Sequence, residues 1–187
     1  LELLETYQIT EVEHTEEELI DAAKTDPRNF EPLYRLYFKR IFLFVFHRVA
    51  DKALAKDITS QVFLKALSSI GSYSHQGLPF SSWLFRIAIN ECNGHFRKKS
   101  VTHTVVLDEH HFHLLTDEIS LGTDDDRKRL RAAIKGLKHE EVEMIELRFF
   151  EEMKFQQIAE VMGITENNAK VRMYRILDKL REKLKKS

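Results

Sequence analysis

Apolar residues recur at steps of three and four along most of the chain, the period of an amphipathic helix rather than the alternation of a strand. From Phe30 onward Leu33, Leu36, Tyr37, Ile41, Phe44, Val45 and Val49 share one helical face. Leu54, Ile58, Val62 and Ala66 form a second stripe, and Asp51 stands where an N-cap is needed. Residues 71–79 are mostly polar, carry Gly71 and Gly77, and predict a loop. Ser81 or Ser82 is placed to cap a third helix from Trp83 to about Arg97, striped by Leu84, Ile87, Ala88 and Cys92. Upstream, Thr15 and Glu18 have the spacing of a capping box for a short helix ending at Lys24, before Pro27 and Pro32 bracket a new start.

The C-terminal part repeats the pattern in shorter pieces. Leu130, Ala133, Ile134 and Leu137 make one stripe, and Val142, Ile145 and Phe149 the next. Ile158, Ala159 and Met162 then run into Gly163, whose missing Cβ permits the positive φ of a sharp turn. Thr165 can cap the following helix, striped by Ala169, Met173, Ile176, Leu177, Leu180 and Leu184. Small Ala159 lets the two helices cross closely, the arrangement of a helix-turn-helix whose second helix enters the major groove. Between the two halves, residues 101–126 show no persistent stripe and carry His103, His110, His111 and His113. They read as a linker. The expected fold is all-α, with two small helical domains at 27–100 and 127–187, an N-terminal extension at 1–26 and the linker at 101–126.

Charge sharpens this division. The formal net charge is −1, yet residues 1–26 hold nine acids and one base, and 101–126 hold seven acids and no base. Residues 27–100 hold twelve bases and four acids, and 127–187 hold sixteen bases and ten acids. The neutrality is a cancellation between two basic domains and two acidic segments, a distribution that points to polyanion-binding faces. Residues 1–26 are then expected to fold over a basic face when no partner is bound.

Other classes recede. The longest wholly apolar run, Ile41 to Phe46, is far short of the roughly 20 residues that span a bilayer. No basic-then-apolar leader opens the sequence and Cys92 has no partner cysteine, so a cytoplasmic location without membrane insertion is expected. His110, His111 and His113 invite a metal reading, but no cysteine lies near them, and no metal or cofactor is expected. Nor is there a Gly-rich phosphate loop or a nucleophile triad; the chain is not expected to be an enzyme.

The residues off the stripe of the last helix are Glu166, Asn167, Lys170, Val171, Arg172, Tyr174, Arg175 and Lys179. Asn and Arg can bond base edges bidentately, while Lys and Arg neutralise phosphates. In the first domain Tyr73, His75 and Phe80 lie in or beside the polar loop, and Arg86, Asn90, Arg97, Lys98 and Lys99 follow along one helix and its exit. Trp83 and Phe85 read as core residues.

These motifs together resemble a bacterial RNA polymerase sigma factor of the extracytoplasmic-function type, in the sigma-70 family. The phrases that carry the resemblance are Leu33-Tyr34-x-x-Tyr37-x-x-Arg40, then Asp57-Ile58-Thr59-x-Gln61-Val62-Phe63-Leu64-Lys65-Ala66, then Phe80-x-x-Trp83-Leu84-Phe85-Arg86-Ile87-Ala88-x-Asn90, and the closing helix-turn-helix. The first domain is similar to the family's region 2 and the second to its region 4. Lys138 stands where a proline is common, and Val171 replaces a small polar residue in the recognition helix. The resemblance implies a transcription initiation factor whose partners are core RNA polymerase, promoter DNA and an anti-sigma factor. Asp57 and Gln61 would contact polymerase; Tyr73, His75, Phe80, Arg86, Asn90, Arg97, Lys98 and Lys99 would engage the −10 element, where aromatic rings beside a cationic track suit unstacked nucleic acid; and the off-stripe residues from Glu166 to Arg175 would read the −35 element. The alternative is a stand-alone helix-turn-helix regulator, which has no need for the Phe80-to-Asn90 motif.

Overall fold

A computed structural model describes residues 15–75, 77–99, 109–119 and 123–185, and among them only helices and turns occur. The first half contains α1 (Glu16–Thr25), α2 (Glu31–Val49), α3 (Lys52–Ser69) and α4 (Phe80–Lys99). The second contains α5 (Glu109–Ile119), α6 (Asp124–Lys135), α7 (His139–Ile145), α8 (Phe155–Met162) and α9 (Glu166–Lys185). A π-helical turn, Glu146–Phe150, continues α7.

Local chemistry sets several of these ends. Thr15 Oγ1 accepts from Glu18 N at 3.3 Å while Glu18 returns its carboxylate to Thr15 N at 2.8 Å, closing the expected capping box on α1. Asp51 Oδ1 accepts from Leu54 N at 2.9 Å and starts α3. Between α2 and α3, Ala50 takes the left-handed conformation at φ 55°.

The start of α4 differs from the expectation. The helix begins at Phe80, and Ser81 and Ser82 are buried in its first turn rather than capping it. Pro79 O accepts from Ser82 N at 2.9 Å, and Phe80 N donates to Glu16 of α1 at 3.0 Å. The cap is therefore tertiary. The stretch read as a linker also holds α5, whose Phe112, Leu115 and Ile119 are buried against the second domain. Residues 1–14, 100–108 and 120–122 lie outside the described residues, as do the side chains of Lys98, Lys99, His110 and His111.

In the first domain α2, α3 and α4 enclose Leu33, Ile41, Val45, Val62, Leu84 and Phe85, all essentially without solvent access. The Phe44 and Phe85 rings meet edge-to-face at 4.9 Å. In the second, α9 lays Ala169, Met173, Ile176, Leu177 and Leu180 across α6, α7 and α8. Lys179 Nζ, 2.8 Å from Glu141, ties α9 to α7.

The two domains meet with α4 against α8. At the seam Arg48 of α2 is completely buried and donates to Glu146 at 2.6 Å and to Glu143 at 3.3 Å. Asn93 of α4 adds a hydrogen bond to Glu143 at 3.0 Å. Burial alone would raise the Glu143 carboxyl, but His139, Arg48 and Asn93 hold it down to about 2. Burial pushes the Glu146 carboxyl up against the pull of Arg48, and its Oε1 is unpartnered. A second seam pair joins Arg40 Nε to Glu151 at 2.8 Å.

Candidate nucleic-acid interface

The loop before α4 and the exposed side of that helix form one candidate surface. Tyr73 is half-buried, its ring 5.2 Å from Phe80 and 4.9 Å from Trp83. A cavity of about 270 Å³ opens here, lined by Tyr73, Ser74, Trp83, Arg86 and, from the second domain, Glu160. Arg86 and Asn90, one helical turn apart, are both exposed on the same face of α4, and Arg97 is exposed further along. Phe85 is core, as expected. Trp83 is half-buried on the cavity wall, so it is only partly a core residue. Phe80 has no solvent access, because the loop folds its ring inward onto Tyr37 and Tyr73. It supports the surface from beneath rather than offering a ring to a ligand.

The acidic helix α1 packs behind this loop. Glu16 accepts from Tyr37 Oη as well as from Phe80 N. Glu17 lies 3.3 Å from His75 Nε2, and Lys24 sits over the Tyr73 ring, 5.7 Å from its centroid. Burial and then the Glu16 hydrogen bond push the Tyr37 phenol far up, so it stays protonated at any ordinary pH. None of these contacts of α1 has a local sequence signal beyond the acid-rich composition of the N-terminal segment.

The second candidate surface is α9. Gly163 closes α8 at φ 65°, Thr165 Oγ1 accepts from Asn168 N at 3.3 Å, and the next helix begins with its polar side outward. Asn167, Val171, Tyr174 and Arg175 are exposed, and Lys170 and Arg172 are half-exposed. Glu166 pairs with Lys170 at 2.6 Å, and Asn168 Oδ1 accepts from Arg172 Nε at 3.0 Å. These local contacts orient the two cations along the helix. Tyr174 lies beside Phe155 at 6.5 Å between ring centres, which gives the surface an aromatic shoulder.

A third surface lies on α3, where Asp57 and Gln61 are exposed one turn apart. Leu64, a further turn along, is 55% exposed, an apolar residue with no core role. Its position off the apolar stripe is the signal that marks it. Of the linker histidines, His113 is exposed beside Arg127, 3.3 Å from Nδ1. Among the described residues no cluster of three or more His, Cys, Asp or Glu side chains could hold a metal, and no helix is long and apolar enough to cross a membrane.

The class this geometry defines is an all-helical protein in which α8, the left-handed turn at Gly163 and α9 form a helix-turn-helix. The profile of Sigma-70 region 2 matches residues 33–102, and that of Sigma-70, region 4 matches residues 127–180. The sequence is 31% identical over 158 residues to RNA polymerase sigma factor SigV of Bacillus subtilis, covering 83% of this chain and 86% of that protein. It is also 31% identical over 165 residues to the ECF RNA polymerase sigma factor BldN of Streptomyces coelicolor, covering 84% of this chain and 61% of BldN. The fold is similar to that of CnrH in complex with the cytosolic domain of CnrY, with a TM-score of 0.61, 19% identity and coverage of 92% and 98% of the two chains. It is likewise similar to the sigma factor RpoE of Bartonella quintana in complex with the anti-sigma factor NepR, with a TM-score of 0.59, 20% identity and coverage of 84% and 98%. The chain belongs to the sigma-70 family of RNA polymerase sigma factors, the transcription initiation factors, and to its extracytoplasmic-function group.

Proposed function

We propose that this chain binds core RNA polymerase and directs it to promoters, with the chemistry of RNA synthesis left to the polymerase. The α3 surface around Asp57 and Gln61 contacts the core enzyme. Tyr73, His75, Arg86, Asn90, Arg97, Lys98 and Lys99 engage the −10 element as it melts, with Phe80 bracing them from within. Glu166, Asn167, Lys170, Val171, Arg172, Tyr174 and Arg175 read the −35 element as duplex. The 27–100 and 127–187 domains divide these tasks, and an anti-sigma factor is the expected inhibitor. The site of action is the cytoplasm, where polymerase and promoter DNA are found.

The observation that carries this reading is the pairing of two unlike nucleic-acid surfaces in one chain. One is a groove-sized helix with an exposed Asn/Lys/Arg face. The other is an aromatic-walled cavity flanked by Arg86 and Asn90. A repressor needs only the first. The experiment is reconstitution with core polymerase on a promoter library, where run-off transcripts that depend on this chain are expected. Repression without initiation would overturn the reading in favour of a stand-alone regulator. Arg86→Ala is expected to impair open-complex formation, read by permanganate footprinting, more than it impairs binding to the core enzyme. Equal loss of both would remove Arg86 from the melting surface.

A further inference from the structure

Three consecutive acids open α1, and the fold sends each to a different partner. Glu18 caps its own helix through Thr15 N at 2.8 Å. Glu17 lies 3.3 Å from His75 in the loop before α4. Glu16 leaves its helix and reaches two groups at once. One carboxylate oxygen accepts from Tyr37 Oη on α2, and the other accepts from Phe80 N, the first amide of α4, at 3.0 Å. Ile20 and Ala23, both buried, anchor α1 where these bonds can form.

The Phe80 amide needs that oxygen. The first N–H groups of a helix have no partner inside it, and a side chain at the helix start commonly supplies one. Pro79, the residue before Phe80, has no side-chain acceptor, and Ser81 and Ser82 are buried within the first turn. The acceptor comes instead from 64 positions away, as a carboxylate at the positive end of a 20-residue helix, where negative charge is favoured. Ring contacts carry its influence onward. The Phe80 ring lies 5.8 Å from Tyr37 and meets Tyr73 edge-on at 5.2 Å and 85°. Trp83 lies 5.3 Å from Phe80 and 4.9 Å from Tyr73. Glu16 thus holds Phe80 by its backbone and, through Tyr37, by its ring. Phe80 in turn backs Tyr73 and Trp83 on the wall of the cavity, where Arg86 meets Glu160 at 3.1 Å.

We infer, on the assignment of the α4 surface to the −10 element, that Glu16 is a positioning residue for promoter melting. It sets Phe80, and through Phe80 the Tyr73 and Trp83 rings, in the geometry that captures unpaired bases, without touching DNA itself. A ring that receives an unstacked base binds best when it is already in place, because ordering it on arrival subtracts from the affinity. The role is opposite in sign to what charge alone predicts. Removing a carboxylate near a phosphate-binding face should favour DNA, whereas removing Glu16 should weaken its capture.

The test uses holoenzyme reconstituted from core polymerase and the full chain, and reads the lifetime of the competitor-resistant open complex. A variant that merely folds less well lowers the yield of complexes and leaves their lifetime alone. Glu16→Ala should shorten the lifetime roughly three- to tenfold, the contribution of one hydrogen bond. Glu16→Gln should restore it to within about twofold of the parent, because its amide oxygen accepts from Phe80 N and its amide nitrogen donates to Tyr37 Oη. Tyr37→Phe, which keeps the ring against Phe80, should shorten the lifetime alone and add nothing to Glu16→Ala. In the free chain, exchange of the Phe80 amide hydrogen, read by NMR, should accelerate in Glu16→Ala and not in Glu16→Gln. A parental lifetime or a parental Phe80 exchange rate in Glu16→Ala, no rescue by Glu16→Gln, or additive effects of the two substitutions would each overturn this role. A parent that forms no open complex would instead defeat the proposed function, and this role with it, before any variant is compared.

Discussion

Glu151 offers a quantitative test of the domain seam. Its side chain follows the π-helical turn and is only 12% exposed, with Arg40 Nε 2.8 Å away and Arg40 Nη2 donating to its backbone carbonyl at 3.0 Å. Burial pushes its carboxyl up from 4.5 to about 7, even against the pull of Arg40. A folded-state pKa above the unfolded one contributes stability that is fully present below about 4.5 and is lost as pH rises through about 7. By proton linkage between those two values the loss amounts to about 3 kcal/mol at pH 8 and to less than about 1 kcal/mol at pH 5. Glu151→Gln mimics the protonated carboxyl and keeps an oxygen to accept from Arg40. Arg40 is 44% exposed, so its guanidinium is not stranded by the change. Equilibrium urea unfolding followed by far-UV circular dichroism should therefore show the variant more stable than the parent by about 3 kcal/mol at pH 8, with the advantage falling below about 1 kcal/mol at pH 5. A benefit that is the same at both pH values, or a destabilised variant at pH 8, would refute the argument.

Three further substitutions probe other levels of the structure. Asp57→Ala should weaken capture of core polymerase in a surface-plasmon assay while leaving unfolding midpoints unchanged, and an unaltered affinity would remove α3 from the polymerase interface. Gly163→Ala should cost about 1–2 kcal/mol, because an added Cβ meets nothing within 4 Å but the backbone sits at φ 65°; a neutral or stabilising effect in urea unfolding would contradict the left-handed turn. Phe85→Ala removes a fully buried ring packed on Phe44 and should cost about 3–5 kcal/mol in the same assay; a loss under about 1 kcal/mol would show that the site is not core.

Features encoded over a few residues were legible in advance. Thr15 with Glu18, Asp51 and Thr165 act within three positions of themselves, so their caps follow from spacing alone. Gly163 and the stripe of α9 are equally local. The start of α4 was misplaced because Phe80 N is satisfied by Glu16, 64 residues away, which frees Ser81 and Ser82 to be buried. Helix α5 was hidden because its buried apolar residues, Phe112, Leu115 and Ile119, stand among histidines and acids in a segment whose composition is polar. The seam pairs were beyond reach for the same reason: Arg48 and Glu146 lie 98 positions apart, and each alone resembles an ordinary solvated charge. On the candidate surfaces, residue type and helix face were readable. What the sequence could not convey was that Phe80 points inward and that Glu160 faces Arg86.

Trp83 is the only tryptophan in the chain, and it forms part of the wall of the cavity that Arg86 and Glu160 share. Excitation at the red edge of the indole band therefore has a single source, and that source sits where the second domain covers the first. Withdrawal of the Glu160 carboxylate, entry of a nucleobase, or flooding by water would each change the polarity around one ring. The unmodified free chain thus carries an intrinsic optical gauge of this cavity, one that can be followed by stopped flow as single-stranded DNA is added, without attaching a label to protein or DNA.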